Sequence, residues 1–461
     1  MKKILQIISD AISGKETDFT SGSINRAIVL LSIPMVLEML MESLFAIVDI
    51  YFVSKISVDA VASVGLTETV NTLIYSIAMG LSMAATAMVS RRVGEKKKKE
   101  ASRAAVQVIL LSLGISVAIG IPSFFYAENI LALMGASEAV IASGSGYTRI
   151  VLSANGVIIL LFVYNAIFRG AGNATLAMRS LWIANICNII LDPLFIFGWG
   201  PFPEMGVTGA AVATTLGRGI GVAYQTYLLN KGTGVLKIEK DYFKIDWSII
   251  RRITNVASTG AGQMLIASAS WVFLMRIVAQ FGSDTVAGYV IAIRILIFTL
   301  LPAWGIANAA ATLTGQNLGA GKPERAEASV WRSSFVNMVF LFVVSIIYYV
   351  FAPQLIGFFS TEPSVLEAGI LSLRIFAIGY VFFAYGMVLS QAFNGAGDTR
   401  TPTIINIFCF WLLEIPLGYT LALTFGWGLS GVCWAVVTSE TVLGVIAVII
   451  FRKGKWKEVK I

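Results

Sequence analysis

The chain is predicted to be an all-α polytopic membrane protein, with twelve transmembrane helices in two parallel, pseudo-symmetric six-helix bundles. Three observations predict it. Hydrophobic residues make up 57% of the 461 residues and charged residues only 13%, with a mean hydropathy of +0.81, outside the range of soluble globular chains. Polar breaks divide the chain into about twelve apolar runs long enough to cross a bilayer. The two halves of the chain also repeat one another at a constant offset.

In chain order, "MKKILQIISDAISGKETDF" reads as a short amphipathic helix on the membrane surface. Asp10 interrupts its apolar run, and no small-residue cleavage site precedes Glu16 and Asp18, so it does not read as a signal peptide. The spans are expected to start near residues 28, 60, 102, 143, 178, 205, 248, 285, 330, 368, 402 and 428. They group into a segment at 1–27, a first bundle at 28–230, a hydrophilic linker at 231–247, a second bundle at 248–452 and a basic tail at 453–461.

Lysine and arginine fix the orientation, because loops rich in them stay cytoplasmic. One set of loops holds "RRVGEKKKKEASR", "KGTGVLKIEKDYFKIDWSIIRR", "GKPERAEASVWR" and "RKGKWKEVK". The opposite set holds Lys55 and the acids Asp59, Glu128, Glu138, Glu204, Asp284, Glu362 and Glu367. Both termini are therefore expected in the cytoplasm, with the chain multi-pass in the inner cell membrane. The net charge of +8 is then a topology signal and implies no nucleic-acid partner.

Chemistry is limited by what is missing. The chain has no histidine, which excludes imidazole proton relays, histidine metal sites and Ser-His-Asp catalysis. Cys187, Cys409 and Cys433 lie inside apolar spans without metal spacing and read as packing residues. With no nucleophile and base pair and no sizeable soluble loop, no enzyme and no cofactor are expected.

The acids inside the spans carry the functional signal. "IPMVLEMLMESLFAIVDIYFV", Ile33 to Val53, places Glu38, Glu42, Phe45 and Asp49 at steps of four, three and four, on one helix face. Each ionised acid at mid-bilayer depth costs roughly 2.5 to 3.5 kcal/mol, so that face is expected to look into protein or water. Glu38 and Glu42 read either as structural, neutralised by Arg149 or another intramembrane arginine, or as parts of a cavity. Glu68 and Glu414 read as cavity polarity. Arg149, Arg276, Arg294 and Arg374 read as partners of acids or as sites for an anion. Pro34, Pro193, Pro302, Pro353 and Pro416 are candidate kinks.

Aligning "VDAVASVGLTETVNTLIYSIAMGLSMAATAMVSRRVGE" with "SDTVAGYVIAIRILIFTLLPAWGIANAAATLTGQNLGA" brings Asp59 to Asp284, Gly80 to Gly305 and Gly94 to Gly319, an offset of 225. The same offset carries Arg149 onto Arg374 and "FRGAGNAT" onto "FNGAGDTR". Each half has an even number of spans, so the halves run parallel, related by an axis along the membrane normal. The two "GAG" loops lack the lysine and preceding strand of a phosphate loop and read as tight turns.

These loops, "NIILDPLFIFG" in the fifth span, "IVDIYFV" ending the first and the six-plus-six repeat together resemble the multidrug and toxic compound extrusion (MATE) family. The resemblance covers roughly residues 20 to 452 and is closest to the prokaryotic branch named for a DNA-damage-inducible member. It implies a V-shaped alternating-access transporter. The implied function is a secondary active exporter, an antiporter that moves lipophilic organic cations out in exchange for H+ or Na+, working as a monomer in the bilayer.

Carried over residue by residue, the resemblance assigns ion coupling to Asp49, Asn188, Asp192 and Tyr147, with a possible Na+ site at Asp49, Asn188 and Asp192. The sixth-span threonine position of that branch holds Ala210 here, which leaves one ligand oxygen unassigned. Phe45 and Tyr164 are candidate aromatic walls of the substrate cavity, with Glu38, Glu42, Glu68 and Gln263 as its polar residues. Gln263, Leu274 and Leu417 are the repeat equivalents of Glu38, Asp49 and Asp192, so coupling is expected in the first half alone. The alternative is a flippase for lipid-linked precursors, with Arg276 and Arg294 receiving a pyrophosphate.

Overall fold

A computed structural model of the chain describes residues 2–14, 17–232 and 234–461; Met1, Lys15, Glu16 and Thr233, within the predicted terminal segment and linker, lie outside them. Twelve spans follow the surface helix Lys2–Ser13. The first lobe comprises Ile24–Ser54, Val58–Gly94, Lys98–Phe125, the bent pair Glu138–Ser153 and Asn155–Gly170, Ala174–Ile196 and Val207–Lys231. The second comprises Trp247–Val278, Ser283–Gly319, Pro323–Gly357, Pro363–Ala396, Arg400–Thr424 and Leu429–Arg452. Among the described residues, ten of these are apolar and long enough to cross a membrane alone, and the bent pair makes an eleventh. Val207–Lys231, interrupted by Arg218, completes the set.

Several helices begin a few residues before the apolar runs do, and capping explains it. Ser23, Ser57, Ser137 and Asn173 each accept a hydrogen bond from the backbone N–H three residues on, so the helix starts in the polar loop. Asp246 caps the seventh span in the same way, with Ile249 N at 3.3 Å.

Kinks divide into those that proline announces and one that it does not. The ninth span leaves helical geometry at Phe351, two residues before Pro353. The fourth span bends by 41° at Ala154 with no proline present. There, Asn155 Nδ2 donates to Leu152 O at 2.8 Å and to Ser116 O of the third span at 3.2 Å, holding the break open.

Glycine makes the lobe interface, and it does so twice. A Cβ on Gly80 would run into Ala257 and Ala261 of the seventh span, and a Cβ on Gly305 into Met35 and Val36 of the first. A Cβ on Gly94 would strike Gln316, and on Gly319 would strike Arg91. Each pair of glycines obeys the 225-residue offset, as do the partners Val36 with Ala261 and Arg91 with Gln316, so the repeat in the sequence is a two-fold axis in space. Gly94 and Gly319 end their spans beside the basic loops. The lobes are therefore sealed at that face, whereas further along the same two helices Leu73, Ile297 and Phe298 are exposed. The V opens toward the acidic face.

Terminal segments reinforce the seal. Lys322 Nζ of the second lobe donates to Thr20 O at 2.9 Å, while Thr175 of the first lobe donates to Ala11 O at 2.7 Å. At the other end of the chain, Arg92 of the first lobe donates to Ile461 O at 3.3 Å. The linker is pinned by Gln107, whose Nε2 donates to Tyr242 O and Lys244 O at 2.8 and 2.9 Å.

Bulk at the seal is expected to weaken it. Overpacking costs about 1 to 3 kcal/mol, so Gly94→Leu should shift the balance toward basic-side opening by roughly ten- to a hundredfold. A thiol at cavity residue 312 (Thr312→Cys) should then react faster from the basic side. Unchanged reactivity would show that the glycine contact does not hold the seal.

Candidate functional site

The seal roofs a cavity of about 130 Å³ between the lobes, lined by Glu38, Glu42, Asn165 and Arg169 from the first and by Trp304, Asn308 and Gln391 from the second. Acid and base come from the first lobe, and neutral polar and aromatic groups from the second. Met39, Met79 and Met83 add soft, adaptable wall.

Glu38 is 1% exposed and held at one oxygen. Its Oε1 takes Arg169 Nη1 at 2.9 Å and Asn165 Nδ2 at 3.1 Å, and Gln225 Nε2 fixes Asn165 through its Oδ1 at 2.6 Å. The other oxygen, Oε2, is buried and has no hydrogen-bond partner. A buried acceptor left unmade is costly, so this oxygen is a point at which a bound donor gains.

One turn outward, Glu42 meets Arg218 of the sixth span at 3.3 Å and accepts from Asn185 Nδ2 at 3.1 Å. Arg218 is the hub of this layer. Its Nη1 donates to Tyr75 Oη at 3.2 Å, and its guanidinium lies 5.2 Å from the centre of the Phe45 ring. Being 3% exposed, it is a buried cation shared by an acid, a phenol and an aromatic face.

Further outward the acids form no ion pair among the described residues, and Arg218 acts on Asp49 and Glu68 only at longer range. Asp192 is fully buried at Pro193, so it is no solvated helix end. With its amide oriented by the surrounding network, Asn188 donates Nδ2 to Asp192 Oδ2 at 3.1 Å and accepts Thr214 Oγ1 at 3.0 Å. Asp49 lies close enough to Asp192 for their charges to act on one another, and Glu68 does the same to Asp49. Tyr147, 5% exposed, packs among apolar residues within electrostatic reach of Glu68 and Asp49. Among the described residues, no lysine or arginine is within ion-pair distance of Asp49, Glu68 or Asp192. The layer is therefore a set of carboxylates, an amide and hydroxyls, a donor set suited to protons or to a hard cation.

Placement departs from the sequence reading at four residues. Arg149 does not pair with Glu38 or Glu42; it pairs with Glu128 at 3.0 Å near the acidic face, well before Arg169 along the same span. Tyr164 is no cavity wall: its ring packs in the first-lobe core and its hydroxyl accepts from Thr226 Oγ1 at 3.1 Å. Phe45 is buried, with a ring face given to Arg218. Gln263 is buried away from the cavity, its backbone carbonyl accepting from Asn406. Ala210 packs apolar, as the sequence has it, and the hydroxyl that meets Asn188 is that of Thr214, one turn further along the same helix. Sequence reasoning missed Arg169, Arg218 and Asn165. Arg218 had a signal of its own, an arginine in the middle of a span.

A family profile described as MatE matches residues 34–194 and 261–420, one block in each lobe. The probable multidrug resistance protein NorM of Thermotoga maritima is 28% identical over 438 residues, covering 94% of either chain. A protein of Shewanella oneidensis named FAD transporter is 27% identical over 402 residues, covering 86% of this chain and 88% of its own. A solved structure described as the outward-facing conformation of a multidrug resistance MATE family transporter superposes with a TM-score of 0.90, at 27% identity over 96% of this chain and 99% of its own.

Proposed function

This chain belongs to the MatE family of membrane transporters, and on that footing we propose that it exports lipophilic organic cations in exchange for H+ or Na+. It is a transporter and not an enzyme. The units 28–230 and 248–452 act as lobes that rock about the linker 231–247, in a monomer whose termini and basic face are cytoplasmic. The observation that carries this reading is the division of the acids into two layers. Glu38 and Glu42, at the cavity, form ion pairs with Arg169 and Arg218, while Asp49, Glu68 and Asp192 form none among the described residues, Arg218 acting on Asp49 and Glu68 only from beyond ion-pair distance.

The unpaired layer changes charge when it takes or releases an ion, and with Asn188, Thr214 and Tyr147 it forms the coupling site. The paired layer keeps its charge through the cycle and receives the substrate. A cation there finds Glu38 Oε2, with Trp304 and Phe162 as aromatic walls. Vesicles containing the purified chain and loaded with a fluorescent organic cation test this: an imposed proton or sodium gradient should drive its movement. No gradient-dependent movement would refute the reading.

A second reading is an anionic amphiphile, either a nucleotide cofactor, as the name of the Shewanella relative has it, or a lipid-linked pyrophosphate. Arg276 and Arg294 favour it, being exposed and outside every ion pair among the described residues. Competition of the fluorescent cation by a nucleotide would support it. Orientation has its own check: cysteines placed at 235–246 in the linker should be labelled only from the cytoplasmic side, and labelling of intact cells from outside would invert the scheme.

A further inference from the structure

The buried polar groups of the first lobe do not stop at the two acid layers, because five of its spans turn a polar face to one axis. Asn185, Asn188 and Asp192 follow one another at steps of three and four on the fifth span, and Thr214, Arg218 and Gln225 at steps of four and seven on the sixth. Glu68, Asn71 and Tyr75 share a face of the second span in the same way. The first span supplies Glu38, Glu42 and Asp49, and the fourth supplies Asn165 and Arg169. At its outer end the row meets the cleft, where Glu68 is exposed and Asp49 half-buried. At its inner end Gln225 lies six residues, about 9 Å, before Lys231 at the basic end of the sixth span.

The fold does not require this polarity. At the 225-residue offset Asp49, Glu68, Asn71 and Tyr75 become Leu274, Ile293, Leu296 and Leu300, and the second lobe packs them as apolar core. Several side chains of the row also end in a buried atom that no group among the described residues satisfies: Asn71 Oδ1, Asn185 Oδ1 and Gln225 Oε1, besides Glu38 Oε2. Acceptors left unmade are costly, and in a polar interior water meets the need. The row is therefore a hydrated path from the cleft toward the basic face.

Such a path endangers an exchanger. Its acids would pass H+ or Na+ down the gradient through one lobe, with no rocking and no substrate moved. Across the middle of it lies Arg218, 3% exposed. Its guanidinium is held 5.2 Å from the centre of the Phe45 ring and 5.9 Å from that of Tyr75, and it donates to Tyr75 Oη at 3.2 Å and to Glu42 at 3.3 Å. Glu42 offsets this charge from the inner side only, since it stands seven residues inward of Asp49 on the first span. A fixed positive charge in a polar path repels any cation, a hopping proton included. We propose that Arg218 is an electrostatic plug, which blocks cations from moving along the polar core of the first lobe so that the coupling ion crosses only when the lobes rock. The purpose given to the plug rests on the outer acids being the coupling site.

Ion leak into vesicles containing the purified full chain, with no substrate present, tests it. Trapped dyes sensitive to pH and to Na+ report entry under an imposed gradient. Arg218→Gln should raise entry of H+ or Na+ by roughly tenfold or more over the wild type, because a unit charge a few Å away repels a cation by more than the equivalent of one decade. Arg218→Lys keeps the charge and should stay near the wild-type rate. If Arg218→Gln strands Glu42 and does not fold, Glu42→Gln combined with Arg218→Gln removes the pair together and should leak in the same way. A folded neutral variant as tight as the wild type overturns the proposal. So does a leak that Arg218→Lys shares, or one that admits chloride equally, because a hole left by damaged packing does not discriminate by charge. Export plays no part in the readout: a leak in the variant beside a wild type that never exports refutes the exchanger and leaves the plug, whereas export without a leak in the folded variant refutes the plug alone.

Discussion

Asp192→Asn is expected to abolish ion-driven export while leaving the protein folded and inserted. The side chain is fully buried and Asn188 is its hydrogen-bond partner among the described residues, so an amide of the same shape keeps the packing and removes only the ionisable oxygen. Without it, Asp49 has no acid of the fifth span to share an ion with. One elementary charge moving down about 100 mV supplies about 2.3 kcal/mol, which sustains an outward substrate gradient of about fiftyfold for one-to-one exchange. In the variant this gradient should fall to about one, whatever proton or sodium gradient is imposed. Asp49→Asn should do the same. A variant that still sustains the wild-type gradient would place coupling elsewhere.

Most of the fold was legible because a bilayer leaves few alternatives. Apolar length gives the spans, basic loops give their direction, and two copies of one pattern give the axis. Gly80, Gly94, Gly305 and Gly319 were visible as repeat matches, but their role as backbone contacts between lobes was not. Pattern shows that two positions are equivalent; it does not show what lies across the axis from them.

Pairing was legible only in kind. A stripe of acids in lipid demands partners, yet no spacing rule says that Glu38 takes Arg169, 131 residues away, rather than Arg149. Such pairs are set by which spans cross at which depth, and Arg169 lies a long way further along the fourth span than Arg149. The same limit hid Thr214 behind Ala210, because one helical turn moves an oxygen along a face without changing its direction.

Breaking the Glu38 and Arg169 pair from the basic side should be the most destabilising single change in the cavity. Arg169→Met leaves Glu38 1% exposed with both oxygens short of a charged partner, and a buried charge stripped of its counter-ion costs about 3 to 5 kcal/mol. Adding Glu38→Gln should recover most of that loss, because a neutral amide beside Asn165 carries no charge to compensate. Denaturant unfolding of the two single variants and the double variant measures this directly. Simple additivity would mean that the two side chains do not act as a pair. Transport separates the layers further. Glu38 lies eleven residues from Asp49 on the same helix, roughly 16 Å at 1.5 Å per residue, and so cannot join the outer carboxylates. Glu38→Gln alone should therefore weaken substrate movement without altering its dependence on pH or sodium. If that dependence vanishes in Glu38→Gln and survives in Asp49→Asn, ion coupling belongs to the cavity layer, and the arginines that balance it are part of the switch.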